Sequence, residues 1–152
     1  MLKAGDTAPS FSLPDQDGTV QTLEGLLSDG PLVLYFYPAD FTPGCTKEAC
    51  SIRDMHDDLM QARLRVVGVS PQDAASHTRF REKHRLTFTL LADENKTVIR
   101  QFKVDGPLGI GVRRATFLIG TDRRIQDAVQ ADVMISRHQD FLRKAVRAQR
   151  RP

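Results

Sequence analysis

The stretch Tyr35 to Asp54, YFYPADFTPGCTKEACSIRD, decides how the rest of the chain is interpreted. Its first residues are apolar and end at Pro38, which is typical of a buried strand that runs into a loop. Thr42 is a favourable N-cap residue, Pro43 suits the first helical position, and the residues beyond them have helical spacing. The sequence therefore predicts a helix with Cys45 about three residues from its start.

A cysteine at the start of a helix is a candidate nucleophile. The free amide groups and the dipole of a helix N-terminus favour an anion, and the thiolate is the reactive form of cysteine. A thiol with the ordinary pKa of about 8.5 is only about 3% ionised at pH 7. Because a helix end contributes only about 1 kcal/mol, less than one pKa unit, a nearby cation is needed as well.

Length and composition indicate one globular domain over residues 1–152. The chain has 152 residues, of which 40% are hydrophobic and 27% charged, typical of a folded soluble protein. The formal net charge is +3, and its excess lies largely between Arg137 and Arg151. These basic residues lie on a helix whose other face is apolar, without interleaved aromatics, so we expect a solvated face and no nucleic-acid partner.

The N-terminal segment MLKAGDTAPS contains an acidic residue and no apolar core segment, so it does not resemble a secretory signal. The longest apolar run, Pro31 to Ala39, is half of the about 20 residues that span a bilayer. We therefore expect a cytoplasmic protein without membrane attachment. In a reducing compartment, two cysteines favour a reactive or redox pair over a structural disulfide, with two buried inert thiols as the alternative.

Apolar runs and turn signals predict five strands and a hairpin. The N-terminal hairpin has short β segments around Asp15-Gln16-Asp17-Gly18. The run from Pro31 to Tyr37 is continuous rather than alternating, which suits a strand covered on both faces, and Arg65–Ser70 is predicted to be a second buried strand. The predicted segments are Ser10–Leu13, Val20–Thr22, Pro31–Tyr37, Arg65–Ser70, Phe88–Ala92, Ala115–Gly120 and Ile125–Val129.

Helices are predicted between these strands. Apolar residues at intervals of three and four continue from Cys45 to Leu59, so Cys45 should face the core. Ser70-Pro71-Gln72-Asp73 has the pattern of a capping box before a helix to Arg85. Further helices are predicted at Asn95–Phe102 and after a cap at Ser136. The order predicts an α/β, thioredoxin-like fold: a central mixed β-sheet flanked by helices, with an N-terminal β-hairpin extension.

The sequence around Cys45 resembles that of a known protein family. Pro38-x-x-x-Thr42-x-x-Cys45 resembles the active-site motif of the peroxiredoxins. The longer segment TPGCTKEAC (42–50) resembles the corresponding motif of one group within that family, the bacterioferritin comigratory protein (PrxQ) group. The resemblance covers nearly the whole chain, from Gly5-Asp6-x-Ala8-Pro9-x-Phe11 to Arg114-x-Thr116-Phe117-Leu118-Ile119. It implies a thiol peroxidase for hydrogen peroxide and alkyl hydroperoxides, with no metal, flavin or haem cofactor.

The resemblance also implies roles for individual residues. Cys45 resembles the peroxidatic cysteine, Thr42 the hydroxyl that orders sulfur and peroxide, and Pro38 the shield of the pocket. Arg114 matches the family's arginine and supplies the required cation. Cys50 resembles the resolving cysteine, which converts the sulfenic acid of Cys45 into a Cys45–Cys50 disulfide.

Three further residues support this site. Glu48 matches the group's motif as a partner that holds Arg114, the amide of Gly44 joins that of Cys45 in donating toward the peroxide, and Phe41 is a candidate wall of the pocket. The expected reductant of the disulfide is thioredoxin or a glutaredoxin-type protein.

Helix geometry adds a condition to the disulfide. Residues five apart in an α-helix have Cα atoms roughly 8 to 9 Å apart, whereas a disulfide requires less than about 7 Å. The first turns of the Cys45 helix are therefore predicted to unwind before Cys50 bonds to Cys45.

Other functions remain open from the sequence. A general disulfide oxidoreductase on the same fold favours cysteines at C-x-x-C, which this chain lacks. A redox-sensing or chaperone-like protein would use Cys45 oxidation as a signal.

A zinc site is disfavoured because cysteines five apart on a helix point about 140° away from each other. The four histidines are interpreted as helix-surface residues. We expect a monomer, since no long apolar stripe remains once the core is assigned.

Overall fold

The computed structural model describes residues 1–150, which begin with a two-stranded antiparallel hairpin. Helices and strands then alternate, and a 3-10 turn lies at Pro107–Gly109. In chain order the strands are β1 (Ser12–Pro14), β2 (Val20–Thr22), β3 (Leu32–Phe36), β4 (Arg65–Ser70), β5 (Thr89–Ala92), β6 (Ala115–Ile119) and β7 (Ile125–Gln130). The helices are α1 (Leu23–Leu26), α2 (Pro43–Asp54), α3 (His56–Gln61), α4 (Ala74–His84), α5 (Thr97–Gln101) and α6 (Ile135–Arg150).

The central sheet has five strands in the order β5-β4-β3-β6-β7. Strands β3, β4 and β5 are parallel, and β6 and β7 are each antiparallel to their inner neighbour. This arrangement confirms the predicted mixed sheet, hairpin extension and thioredoxin-like order of elements. It also places Phe36, at the end of β3, beside Ala115, at the beginning of β6. The residues that follow β3 and those that precede β6 therefore meet at one edge of the sheet.

The sheet separates two apolar cores. Successive side chains of β3 point to opposite faces, so Leu34 and Phe36 pack with Phe117 in one core and Val33 and Tyr35 lie in the other. Both faces are covered, which is why β3 is continuously apolar. The second core also contains Cys45, as its position on the apolar stripe of the helix predicted. Other residues of this core include Ala49, Ile52, Phe80, Phe141 and Leu142.

Three predicted helix boundaries were wrong. The stripe from Cys45 to Leu59 is divided between α2 and α3 at Met55, whose φ of −91° and ψ of 9° depart from regular helix geometry. Helix α4 begins only after Asp73, whose side chain accepts a hydrogen bond from Ser76 N at 2.8 Å. Ser70 cannot cap that helix because it is still paired in β4, opposite Ala92. Helix α6 also starts at Ile135, one residue before the predicted cap.

The interpretation of the histidines as surface residues was wrong for two of the four. His77 and His138 are 0% and 2% exposed. Burial is possible because both ring nitrogens of each find partners: for His77 these are Asp40 and the Leu91 carbonyl, at 2.7 and 2.9 Å. The sequence did contain a signal for His138, which lies three and four residues before Phe141 and Leu142 on the apolar stripe of α6.

Across residues 1–150, the helices are all too short or too polar to cross a membrane.

A buried polar network fixes the loop between β3 and α2. The Asp40 carboxylate accepts hydrogen bonds from Tyr37 Oη at 2.6 Å and Ser76 Oγ at 2.8 Å, and lies 2.7 Å from His77 Nδ1. The side chains of Asp40 and His77 are fully buried. Burial opposes ionisation of Asp40, but the hydrogen bond and charge of His77, with bonds from Tyr37 and Ser76, lower its pKa. The loop is therefore tied to α4 by a buried ion pair.

Replacing Asp40 by Asn should destabilise the protein by about 3 to 5 kcal/mol, because His77 loses its buried counter-ion. The pKa of Asp40 lies below its ordinary 3.8 in the folded protein, so this contribution is complete above that value and is lost as the pH falls through the lowered pKa. Urea denaturation at a series of pH values measures it, with the exposed Asp29→Asn as control. A difference between Asp40→Asn and wild type that persists undiminished in strong acid would contradict this prediction.

Candidate active site

Cys45 is the third residue of α2 and is 2% exposed. The first backbone hydrogen bond of this helix runs from Thr46 N to Thr42 O, at 2.8 Å. The amides of Gly44 and Cys45 precede it and have no acceptor within the helix. The structure therefore confirms the predicted position, with the thiol in a first turn whose amide groups favour an anion.

Arg114 is the cation that lies beside this thiol. It comes directly before β6, and its main-chain nitrogen donates to Asp132 Oδ1 at 2.8 Å, which fixes its backbone. Its side chain is almost completely buried and reaches Cys45, with Nη2 donating to Sγ at 3.3 Å. Two residues that are 69 positions apart in the sequence are thus in direct contact.

Glu48 holds the other side of the same guanidinium. Nη1 of Arg114 donates to Glu48 Oε1 at 2.8 Å, and Glu48 is 1% exposed. Burial raises the pKa of Glu48 to about 7, although the charge and hydrogen bond of Arg114 act to lower it. For Arg114 burial acts to lower the pKa, but the charges of Glu48 and Cys45 outweigh this effect and raise it. Arg114 is therefore a permanent buried cation.

His138 and Thr116 form a polar layer behind Glu48, which the sequence did not reveal. Nε2 of His138 faces the Ala131 carbonyl at 2.8 Å and therefore carries a proton, and Nδ1 lies 2.8 Å from Thr116 Oγ1. Burial lowers the pKa of His138, with a further contribution from Arg114. We assign a neutral ring that accepts the Thr116 hydroxyl proton at Nδ1. This Nδ1 is 3.6 Å from Glu48 Oε2, beyond hydrogen-bond distance.

Gly44 provides the space in which Arg114 approaches the thiol. A Cβ atom at this position would lie 3.1 Å from Arg114 Nη2 and 3.9 Å from Ile135 Cδ1. The guanidinium thus packs against the backbone of the first turn of α2. This steric requirement is separate from the predicted role of the Gly44 amide and depends on a tertiary contact that the sequence does not show.

The remaining predicted site residues lie on the loop that leads into α2. Thr42 occupies the N-cap position, but its hydroxyl donates to the Ala39 carbonyl at 3.3 Å rather than to a helix amide. Phe41 has a left-handed backbone, with φ of 67°, and its ring lies 5.2 Å from that of Phe80 on α4. Pro38 is half-buried just beyond β3. The structure thus brings Cys45, Glu48, Gly44 and Arg114 together. It places Pro38, Phe41 and Thr42 on the loop between β3 and α2, without a direct contact to this cluster among those described here.

Cys50 is half-buried, and both cysteines, which lie within the described residues, are free thiols. Helix α2 is continuous from one to the other, which separates their Cα atoms by roughly 8 to 9 Å. Cys45 and Cys50 are therefore too far apart to form a disulfide in this conformation. In the part of the chain from residue 1 to 150, no three His, Cys, Asp or Glu side chains converge to hold a metal ion.

Comparison with known proteins supports a redox role for this constellation. Residues 4–128 match the model of the AhpC/TSA family. Peroxiredoxin Bcp of Escherichia coli K12 is 44% identical over 147 residues, which cover 93% of each chain.

Solved structures agree with the sequence comparison. The crystal structure of peroxidoxin BcpB from Mycobacterium tuberculosis has a TM-score of 0.92 and 44% identity, and covers 99% of this chain and 100% of that one. Peroxiredoxin Q of Xanthomonas campestris has a TM-score of 0.83 and 30% identity, with 91% and 90% of the two chains covered.

Replacing Arg114 by Ala should make the Cys45 thiol about 10 to 100 times less reactive toward iodoacetamide at pH 7. The reason is that a hydrogen bond from a charged donor to the thiolate, worth about 1.5 to 3 kcal/mol, is lost. The adjacent Arg113→Ala is the matched control, and alkylation is followed by mass spectrometry. Equal rates for the two variants would contradict the assignment of Arg114 as the cation that stabilises the thiolate.

Replacing Gly44 by Ala keeps the Arg114 side chain and tests whether the position of its guanidinium matters for the thiol. The added Cβ should displace the guanidinium and slow alkylation of Cys45 several-fold. Stability should not fall in parallel, since alanine is favoured over glycine within a helix by about 0.5 to 1 kcal/mol. Alkylation kinetics and urea denaturation of the same variant measure both effects; unchanged reactivity would show that the close packing at Gly44 has no effect on the thiol.

Proposed function

Because the chain belongs to the AhpC/TSA family and is a peroxiredoxin, an oxidoreductase that reduces peroxides through a cysteine thiol, we propose that Cys45 is that thiol. The observation that carries the assignment is the buried contact of 3.3 Å between Arg114 Nη2 and Cys45 Sγ. A positive charge and the first-turn amides of α2 both favour the thiolate. Cys50, which is half-buried and later in the same helix, lacks this environment.

In the proposed reaction, the Cys45 thiolate attacks one oxygen of hydrogen peroxide or an alkyl hydroperoxide. The S–O bond forms as the O–O bond breaks, so that sulfur is oxidised to sulfenic acid. The departing hydroxide or alkoxide takes one proton and becomes water or an alcohol. The Arg114 guanidinium and the amides of Gly44 and Cys45 are placed to stabilise the charge that develops on this oxygen.

The loop before α2 would complete the peroxide site. We assign Thr42 to ordering the peroxide: its hydroxyl donates to the Ala39 carbonyl at 3.3 Å and keeps lone pairs that can accept a hydrogen bond from the peroxide. Pro38 would shield the thiol from water. Phe41 would form the outer wall, since its ring packs on Phe80 and is 43% exposed.

Cys50 is proposed to resolve the sulfenic acid. Its thiol attacks the Cys45 sulfur, water leaves, and a disulfide forms. Because the helical distance is too long for this bond, the first turns of α2 have to open. The far end of the helix is held by Arg53, whose Nη1 donates to the His84 carbonyl at 2.7 Å. Opening is thus expected to be confined to the turns between Pro43 and Cys50.

The family implies a thiol reductant, and we propose that thioredoxin or a glutaredoxin-type protein returns the disulfide to two thiols. A disulfide that forms by local unwinding should be strained and therefore readily reduced. We further propose that the chain acts in the cytoplasm as a monomeric single domain, as expected from its sequence.

Mass spectrometry after one equivalent of hydrogen peroxide tests the two cysteine assignments. Wild type should lose two hydrogen atoms as the disulfide forms, Cys50→Ser should gain one oxygen on Cys45, and Cys45→Ser should remain unchanged. The Cys45→Ser variant should also lose peroxide consumption coupled to thioredoxin oxidation.

Three outcomes would contradict the proposal. Peroxide consumption by Cys45→Ser at the wild-type rate would assign the chemistry to another group. Oxidation of wild-type Cys45 without turnover by thioredoxin or a glutaredoxin-type dithiol would favour a peroxide sensor. Normal turnover of Cys50→Ser would mean that Cys50 is not the resolving thiol.

A further inference from the structure

One buried cation faces two groups that can each carry a negative charge. Arg114 donates through Nη2 to Cys45 Sγ at 3.3 Å and through Nη1 to Glu48 Oε1 at 2.8 Å. All three side chains are almost completely excluded from solvent. If the thiol and the carboxyl were both ionised, the cluster would hold one uncompensated negative charge in a medium that solvates it poorly.

The structure offers a place for a proton that would cancel this charge. Glu48 Oε2 is buried and has no hydrogen-bond partner among residues 1–150. An ionised carboxylate oxygen without a donor is costly in an interior, whereas a protonated carboxyl carries no charge. Burial keeps the pKa of Glu48 at about 7, so that the proton is available at neutral pH.

The titratable groups around Glu48 provide no second cation. His138 on α6 already donates from Nε2 to Ala131 and accepts from Thr116 at Nδ1. Tyr35 on β3 is kept neutral because burial, and then the charges of Glu48, Cys45 and Asp40, raise its pKa. Asp132, which binds the Arg114 main-chain nitrogen, is itself acidic. Among these described neighbours, Arg114 alone balances both acidic groups.

We propose that Cys45 and Glu48 hold one proton between them, and that Glu48 carries it on Oε2 whenever Cys45 is the thiolate. The inference rests on the proposed function, in which Cys45 is the thiol that reacts with peroxide. Glu48 then has a role beyond holding Arg114 in position: it determines how much of the thiol is ionised at a given pH. Two such coupled groups release their protons in steps that belong to the pair.

Proton sharing has a consequence for the reaction. Attack by the thiolate forms neutral sulfenic acid, and the departing oxygen takes up one proton. With the charge on sulfur gone, Glu48 can ionise beside Arg114 and release its own proton. Thiolate, protonated Glu48 and hydroperoxide thus become sulfenic acid, ionised Glu48 and alcohol, with no net proton uptake from solution.

Proton uptake in a single turnover tests this inference. The reduced protein is mixed with one equivalent of hydrogen peroxide at neutral pH in a weakly buffered solution that contains a pH indicator dye. Thiolate is measured by ultraviolet absorbance and oxidation of Cys45 by mass spectrometry. Wild type should take up almost no protons per oxidised sulfur, and Glu48→Gln about one; exposed Glu82→Gln is the matched control and should behave like wild type.

The direction of the thiolate titration separates proton sharing from simple support of Arg114. The amide oxygen of Glu48→Gln still accepts from Arg114, and the competing negative charge is gone, so thiolate should persist to lower pH than in wild type. A mere loss of support would instead shift the titration to higher pH. That result, or equal proton uptake in Glu48→Gln and wild type, would overturn the inference.

Infrared difference spectroscopy examines the wild-type protein without any substitution. The thiolate form should show the carbonyl stretch of a protonated carboxylic acid, which shifts on ¹³C labelling of glutamate and disappears on oxidation of Cys45. Absence of this band would overturn proton sharing. If peroxide leaves Cys45 unoxidised, the proposed function fails instead, and the titration and infrared measurements still decide whether the proton is shared.

Discussion

The buried guanidinium of Arg114 is the constraint on which the site depends. It contacts Cys45 Sγ and Glu48 Oε1 at 3.3 and 2.8 Å, and a cation removed from water needs such partners. The charge of Arg114 is permanent, and both the thiol and the carboxyl that could be ionised contact this one cation. We therefore propose that the reactivity of the thiol is linked to the protonation of a carboxyl group three residues further along α2.

The fold makes this contact possible by pairing β3 with β6. The antiparallel register sets Phe36 beside Ala115, so the loop into α2 and the residue just before β6 emerge at the same edge. Asp132 then fixes the Arg114 backbone from the segment that follows β7. The site is consequently assembled from the ends of central sheet elements and from the first turn of α2, which carries its thiol.

The sequence was sufficient to predict the local structure around Cys45. It predicted only some of the contacts that distant segments make with this residue and its neighbours. The position of Cys45 follows from the cap residue, the proline and the helical spacing, and Arg114 was identified through a family motif. The contact of His138 with Thr116 and the steric fit of Gly44 against Arg114 depend on contacts between distant segments. The sequence does not show the boundary between α2 and α3, because the helical spacing of apolar residues continues across Met55 whereas the helical backbone conformation is interrupted there.

The two buried ion pairs that flank the loop before α2 differ in how completely they are satisfied. Both carboxylate oxygens of Asp40 have partners, from Tyr37, Ser76 and His77. Glu48 has a partner on Oε1 and none on Oε2 among the described residues. A fully bonded carboxylate resists protonation and fixes a conformation, whereas a half-bonded one readily takes a proton. We therefore regard the Asp40 pair as the fixed anchor of the loop and the Glu48 pair as the part whose charge changes with the chemistry of Cys45.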